Sequence, residues 1–263
     1  LAACGGDDDT VATTTTTTPT TNSWMSASII AKQAAAKTDT EKEAVANERA
    51  KALIAAMTLE QKLQQLTGAV PEVIPELPNC KGGRHVSSIA KLNIPTFRIT
   101  NGPVGLGQND CVSISVKENL TLFGGFMLDA SVYADPSSAK ATALPSAMAA
   151  AASFDPSVAG AYGEIIGDEM ANLALHEFEA PGMNMARLPI LGRNFEYFGE
   201  DPYVSGTMAV AEVKAIQSKG MIAMSKHYVG NEQETNRTTI QTDIDRQALR
   251  EIYLLPFEMS VKD

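Results

Sequence analysis

Aromatic residues are scarce in this 263-residue chain, at 6% of positions, charged residues reach only 20%, and there are three cysteines, three histidines and one tryptophan. Each shortage excludes something. Cys4, Cys80 and Cys111 are too few for a disulfide framework or a four-thiolate metal site. His85, His176 and His227 have no close ligand spacing and no His-Glu-x-x-His occurs, so no metal is expected. A Gly-x-Ser-x-Gly elbow is missing, as is a Gly-x-Gly-x-x-Gly after any predicted strand, which argues against a hydrolase triad and a dinucleotide cofactor. No run approaches the roughly 18 apolar residues of a membrane span. Lys+Arg number 21 against Asp+Glu 31, a net charge of −10, so a nonspecific grip on nucleic acid is not expected.

What is present is enough for a core. Hydrophobic residues make up 44% of the chain, which suits one large domain or two small ones. Residues 1–40 are rich in Asp, Thr, Ala and Ser, with an unbroken Thr13 to Thr18 run, and read as a disordered tether. Trp24 and Ile29-Ile30 interrupt it and either dock on the domain or stand exposed. Leu1-Ala2-Ala3-Cys4, followed by Gly5-Gly6 and three Asp, resembles the lipid-attachment box of a bacterial lipoprotein. It reads either as a lipid anchor at Cys4 or as a chance Ala-Ala-Cys in a tail. The first reading implies a cell-envelope location, periplasmic, outer-membrane-anchored or secreted. There Cys80 and Cys111 meet oxidising solvent and either pair or stay free.

Residues 41–263 read as the domain. A helix from Glu41 carries Leu53, Ile54 and Met57, and Thr58-Leu59-Glu60-Gln61 offers a capping box for a second helix with Leu63 and Leu66, stopped by Gly68. Loop follows over 69–93. Strands are predicted at Pro95–Thr100, His176–Pro181 and Met221–Tyr228, with a long excursion over 104–140. Asp155-Pro156 and Asp201-Pro202 each supply an N-cap and a Pro at N1 for helices running to about Leu175 and Lys219. Asp245 caps a further helix that Pro256 bends or subdivides.

Strand, polar loop, helix, repeated, is the rhythm of a parallel sheet covered by helices. Polar residues massed after successive strands favour a (β/α)8 TIM-barrel-like domain over an open sheet. Without the first 40 residues the chain falls short of the roughly 250 typical of eight βα units. The expected fold is therefore α/β, a barrel incomplete at its C-terminal end.

Lys226-His227 closes the third predicted strand, beside Gly230-Asn231-Glu232-Gln233-Glu234. Two adjacent polar residues at a strand end suit a cleft that grips vicinal hydroxyls, or else a salt-bridged Lys and a satisfied core imidazole. Arg187 follows the second strand and offers a planar donor fork to a hydroxyl or a carboxylate. In the next segment, Arg193 pairing with Glu196 or Glu200 to shape the loop is at least as well supported as direct catalysis.

Several runs, in order, carry a resemblance: Phe97-Arg-Ile-Thr-Asn-Gly-Pro-Val-Gly105, Ala143-Leu-Pro-Ser146, Gly182-Met-Asn-Met-Ala-Arg187, Gly192-Arg-Asn-Phe-Glu-Tyr-Phe-Gly-Glu-Asp-Pro202 and Lys226-His-Tyr-Val-Gly-Asn-Glu-Gln-Glu-Thr-Asn-Arg237. Over about residues 50–263 the chain resembles glycoside hydrolase family 3, in particular its β-glucosidase-like members. The resemblance implies an N-terminal (β/α) barrel followed by an α/β sandwich domain, no cofactor, and a β-glucoside or short β-glucan as substrate. It implies that Arg187, Lys226 and His227 hold the terminal non-reducing sugar, with Asn101 where the family commonly has an Asp. The family's Asp nucleophile and its acid/base have no match in residues 238–263, and are expected beyond Asp263. β-Xylosidase is the nearest alternative within the family, and a noncatalytic carbohydrate-binding envelope protein the alternative outside it.

Overall fold

The computed structural model describes residues 23–67, 86–107, 141–173 and 175–263. Cys4, Cys80, Cys111, His85, Gly68 and most of the predicted 104–140 excursion lie outside these residues. Two compact units are present, the first holding residues 23–63 with Ile89–Ile94 and the second the remaining described residues.

In the first unit, the 23–40 stretch expected as tether is folded. A 3-10 turn at Ser23–Met25 leads into helix α1, Ala27–Ala35, whose cap Ser26 accepts the Ile29 N–H at 3.3 Å. Ile29 is buried and the Arg49 guanidinium lies 5.2 Å from the Trp24 ring centroid. Low overall hydrophobicity hid a segment that an alanine-rich sequence and one buried isoleucine make helical. Helix α2, Asp39–Ala56, opens with a full Thr38–Glu41 capping box. Thr58 and Gln61 cap α3, Leu59–Gln64, reciprocally as expected. Of the expected apolar residues, Ile54, Leu63 and Leu66 are all more than half exposed.

The second unit is built on three parallel strands in sequential order, β1 Ile99–Asn101, β2 Glu177–Glu179 and β3 Ile222–Ala223. Ile99 pairs with Glu177 and Glu177 with Ile222. The strands fall where the sequence puts them but are shorter, because the chain leaves the ladder soon after Ala223. A single bridge, Gly182 to Lys226, continues the pairing past that point. Among the described residues the sheet is an open arc.

Helices cover this arc. Helix α4 spans Ala147–Ala151, α5 Pro156–Asn172 and α6 Pro202–Ser218. Asp155 accepts the Ser157 N–H at 2.9 Å and Asp201 the Val204 N–H at 2.8 Å, so both Asp-Pro starts are used as caps. Gly220, at φ +79°, ends α6. Ile166 and Met170 of α5, Ile216 of α6 and Phe178 of β2 are fully buried together in one core. The close approach of α5 to α6 depends on Gly163, where a Cβ would lie 2.4 Å from the Glu212 carbonyl oxygen.

Glu212 itself is buried in α6, and its Oε1 has no hydrogen-bond partner among the described residues. Burial pushes its carboxyl up to about 8, so it sits there as the neutral acid. Near the C-terminus, Asp245 caps a short α7, Arg246–Ala248. A π turn at Leu249–Tyr253 follows, then α8, Leu255–Lys262, with Pro256 in its first turn where a missing N–H costs least.

Candidate active site

Three consecutive strands deliver side chains to one cavity of about 660 Å³. Asn101 comes from the end of β1, Glu179 from the end of β2, and Met224, Lys226 and His227 from just past β3. All lie at the carboxyl ends of parallel strands, where α/β domains keep their sites. The turn after Asn101 is tight. Gly102 holds φ +138° and a Cβ there would meet the Gly105 carbonyl oxygen at 2.0 Å, so only glycine fits.

Lys226 is buried and its Nζ donates to Asn101 Oδ1. Glu196 Oε2 lies 3.8 Å from the same ammonium, and Glu196 Oε1 accepts from Nε of Arg193. The expected Arg193–Glu196 pair is therefore present, whereas Glu200 is exposed. Arg193 also reaches Glu234 Oε1 at 3.0 Å and His227 Nε2 at 2.5 Å. Glu234 pairs in turn with Arg237 at 2.9 Å. Arg193, Lys226 and Arg237 line the cavity with Asn101, Glu179, Asn231, Gln233, Thr238 and Thr242, and Glu196 and Glu234 hold the cations from behind. Such a wall offers many donors and acceptors to a neutral polyol.

His227 is held from behind. Its peptide N–H donates to Asn184 Oδ1 at 2.8 Å and its carbonyl accepts from Asn184 Nδ2 at 3.0 Å. Burial first, then the charges of Arg193, Lys226 and Arg237, pull its imidazole down to about 3, so it is neutral at ordinary pH. Tyr197 is fully buried beside it and donates to the Asn231 carbonyl at 3.0 Å. His176, by contrast, is a structural imidazole, accepting the Arg98 N–H at 2.9 Å on Nδ1 and stacking on Phe97 at 5.5 Å.

Of the residues expected at the sugar, Asn101, Lys226 and His227 are brought together and Arg187 is not. Its guanidinium donates to the Tyr253 hydroxyl, lies 5.7 Å from that ring's centroid, and does not line the cavity. Arg193, six residues on, turns inward instead. The dense Gly192-Arg-Asn-Phe-Glu196 run was the available signal for it. Asn184 and Glu234 fall inside the 182–187 and 226–237 runs, but nothing local marked their pairing with His227 and Arg193. Among the described residues no group of three His, Cys, Asp or Glu is arranged to hold a metal, and no helix is long and apolar enough to cross a membrane.

Fold and site define a parallel α/β domain with a polar cavity at its strand ends. Residues 136–263 match the glycosyl hydrolase family 3 N-terminal domain. Thermostable beta-glucosidase B of Acetivibrio thermocellus is 36% identical over 178 residues, 68% of this chain and 21% of that protein. A beta-glucosidase of Rhizobium radiobacter is 32% identical over 206 residues, 78% of this chain and 21% of its own. Among solved structures, beta-glucosidase 3B from Thermotoga neapolitana in complex with glucose superposes with a TM-score of 0.67 at 31% identity, over 81% of this chain and 27% of that one. This chain belongs to glycoside hydrolase family 3. It spans about a fifth of the length of the curated relatives it matches.

Proposed function

We propose that the complete gene product hydrolyses terminal non-reducing β-D-glucosyl residues with net retention, and that this chain supplies the residues that hold the sugar. The observation that carries the reading is the cavity at three consecutive strand ends, lined by Asn101, Arg193, Lys226 and His227, in a family whose similar members are named beta-glucosidases. Lys226 and Arg193 donate to hydroxyl oxygens. Glu196 and Glu234 keep both cations extended into the cavity.

Retention needs two further carboxyls about 5–5.5 Å apart. One attacks the anomeric carbon while the other protonates the leaving oxygen, and the second then deprotonates the water that releases the sugar. Neither role is assigned within this chain. Asp245 is spent as a helix cap, and Glu258 as an exposed partner of Lys262.

The test is a panel of nitrophenyl glycosides on the complete gene product, with the anomer of the first-formed sugar read by NMR. Preferred cleavage of the β-glucoside with release of the β-anomer is the expected result. Preference for the β-xyloside or the N-acetylglucosaminide, or release of the α-anomer, would overturn the reading.

A further inference from the structure

The neighbours of His227 have fixed hydrogen-bonding roles, and together they fix its own. Asn184 is 2% exposed. Its amide faces the peptide N–H of His227, which only donates, and the peptide carbonyl of His227, which only accepts. Turned over, the amide would set donor against donor and acceptor against acceptor, so its orientation is determined. Oδ1 therefore also faces His227 Nδ1, at 3.1 Å, and that ring nitrogen must carry a hydrogen.

The far side of the ring gives the same answer independently. Nε2 lies 2.5 Å from Nη2 of Arg193, and a guanidinium cannot accept. Tyr197 agrees with both. Its hydroxyl hydrogen goes to Asn231, which leaves its oxygen as an acceptor 3.5 Å from Nδ1.

We propose that Asn184 is a positioning residue that, with Arg193 on the far side, locks His227 as the Nδ1–H tautomer, so that the Nε2 lone pair accepts from Arg193 and holds that guanidinium at the cavity. Arg193 and Lys226 can only donate. His227 is then the acceptor that orients the guanidinium, whose remaining N–H groups are left for a hydroxyl. The sugar's identity rests on the glucosidase reading, whereas the tautomer belongs to the unliganded chain and stands or falls separately.

Long-range nitrogen–proton NMR of the nitrogen-15-labelled 263-residue chain reads the tautomer directly. Only three histidines contribute, and His227→Gln and His176→Gln assign the two rings. His176 is a built-in reference of opposite sense, since its Nδ1 accepts from the Arg98 N–H and its hydrogen must sit on Nε2. The expected spectrum shows His227 protonated at Nδ1 and His176 at Nε2, with the His227 pattern unchanged between pH 5 and pH 8. An Nε2–H pattern for His227, or two protonated nitrogens at pH 6, would overturn the proposal.

Two variants test the part played by Asn184. In Asn184→Leu/Arg193→Met, with both fixed partners gone, His227 should give a tautomer mixture while His176 keeps its pattern. A pure Nδ1–H ring in that variant would refute the lock. Asn184→Asp is isosteric and keeps an acceptor at Nδ1, so the His227 pKa should rise by about one unit or more beside the new charge. This variant remains informative if the double variant does not fold, and an unmoved pKa would again refute the proposal.

Discussion

Lys226→Ala in the complete gene product is expected to lower kcat/KM for a β-glucoside by about 10- to 100-fold. A hydrogen bond involving a charged group contributes about 1.5–3 kcal/mol, and the ammonium of Lys226 is one of the cations lining the cavity. On the proposed reading, truncation removes a donor to the sugar and also releases Asn101 Oδ1 from the ammonium. Arginine should not rescue, because a planar fork cannot occupy the place of a compact ammonium between Asn101 and Glu196. Steady-state kinetics on the alanine and arginine variants, beside thermal melts that confirm folding, checks this. A folded alanine variant within threefold of wild type would remove Lys226 from the sugar site.

Glu196→Ala should lower stability by about 3–5 kcal/mol, the usual cost of removing one partner from a buried charge cluster. Glu196 is 3% exposed and is the carboxylate shared by Arg193 and Lys226. Without it the two cations face each other across a space that a small apolar side chain cannot screen. Arg193 retains Glu234 as a partner, and Lys226 loses a buried carboxylate. At roughly 2–4 °C per kcal/mol for a domain of this size, the melting temperature should fall by about 10 °C. Thermal unfolding of the variant measures it, and a shift under 2 °C would mean that the cluster is not held as a unit.

Local chemistry was the legible part of the sequence. Asp155-Pro156, Asp201-Pro202, Asp245 and the Thr58–Gln61 box each announce a helix start through atoms two or three residues apart, and each is used that way. Helix α1 was hidden because an alanine-rich turn within a polar tail has little hydrophobic signature. Strand ends were overextended, since alternation cannot tell where a chain stops pairing with its neighbour.

The site divides in the same way. Lys226 and His227 stand out because two polar residues close a strand, and Asn101 because a Gly-Pro turn and a family likeness mark it. Arg187 and Arg193 lie on one loop, six residues apart, and periodicity cannot decide which guanidinium turns inward. That is settled by Tyr253, which engages Arg187, and by Glu196 and Glu234, which draw Arg193 to the cavity. Asn184 and Glu234 act through partners more than 40 positions away, a separation that leaves no local pattern.

The most direct measurement is a crystal structure of the complete gene product soaked with glucose. The sugar should lie in the cavity at the strand ends, its hydroxyls within hydrogen-bond distance of Lys226 Nζ and the Arg193 guanidinium, with His227 Nε2 still on Arg193 and Arg187 still against Tyr253. A sugar gripped by Arg187 with Arg193 out of reach, or one bound away from Asn101 and Lys226, would contradict the assignment of this cavity as the glucosyl site.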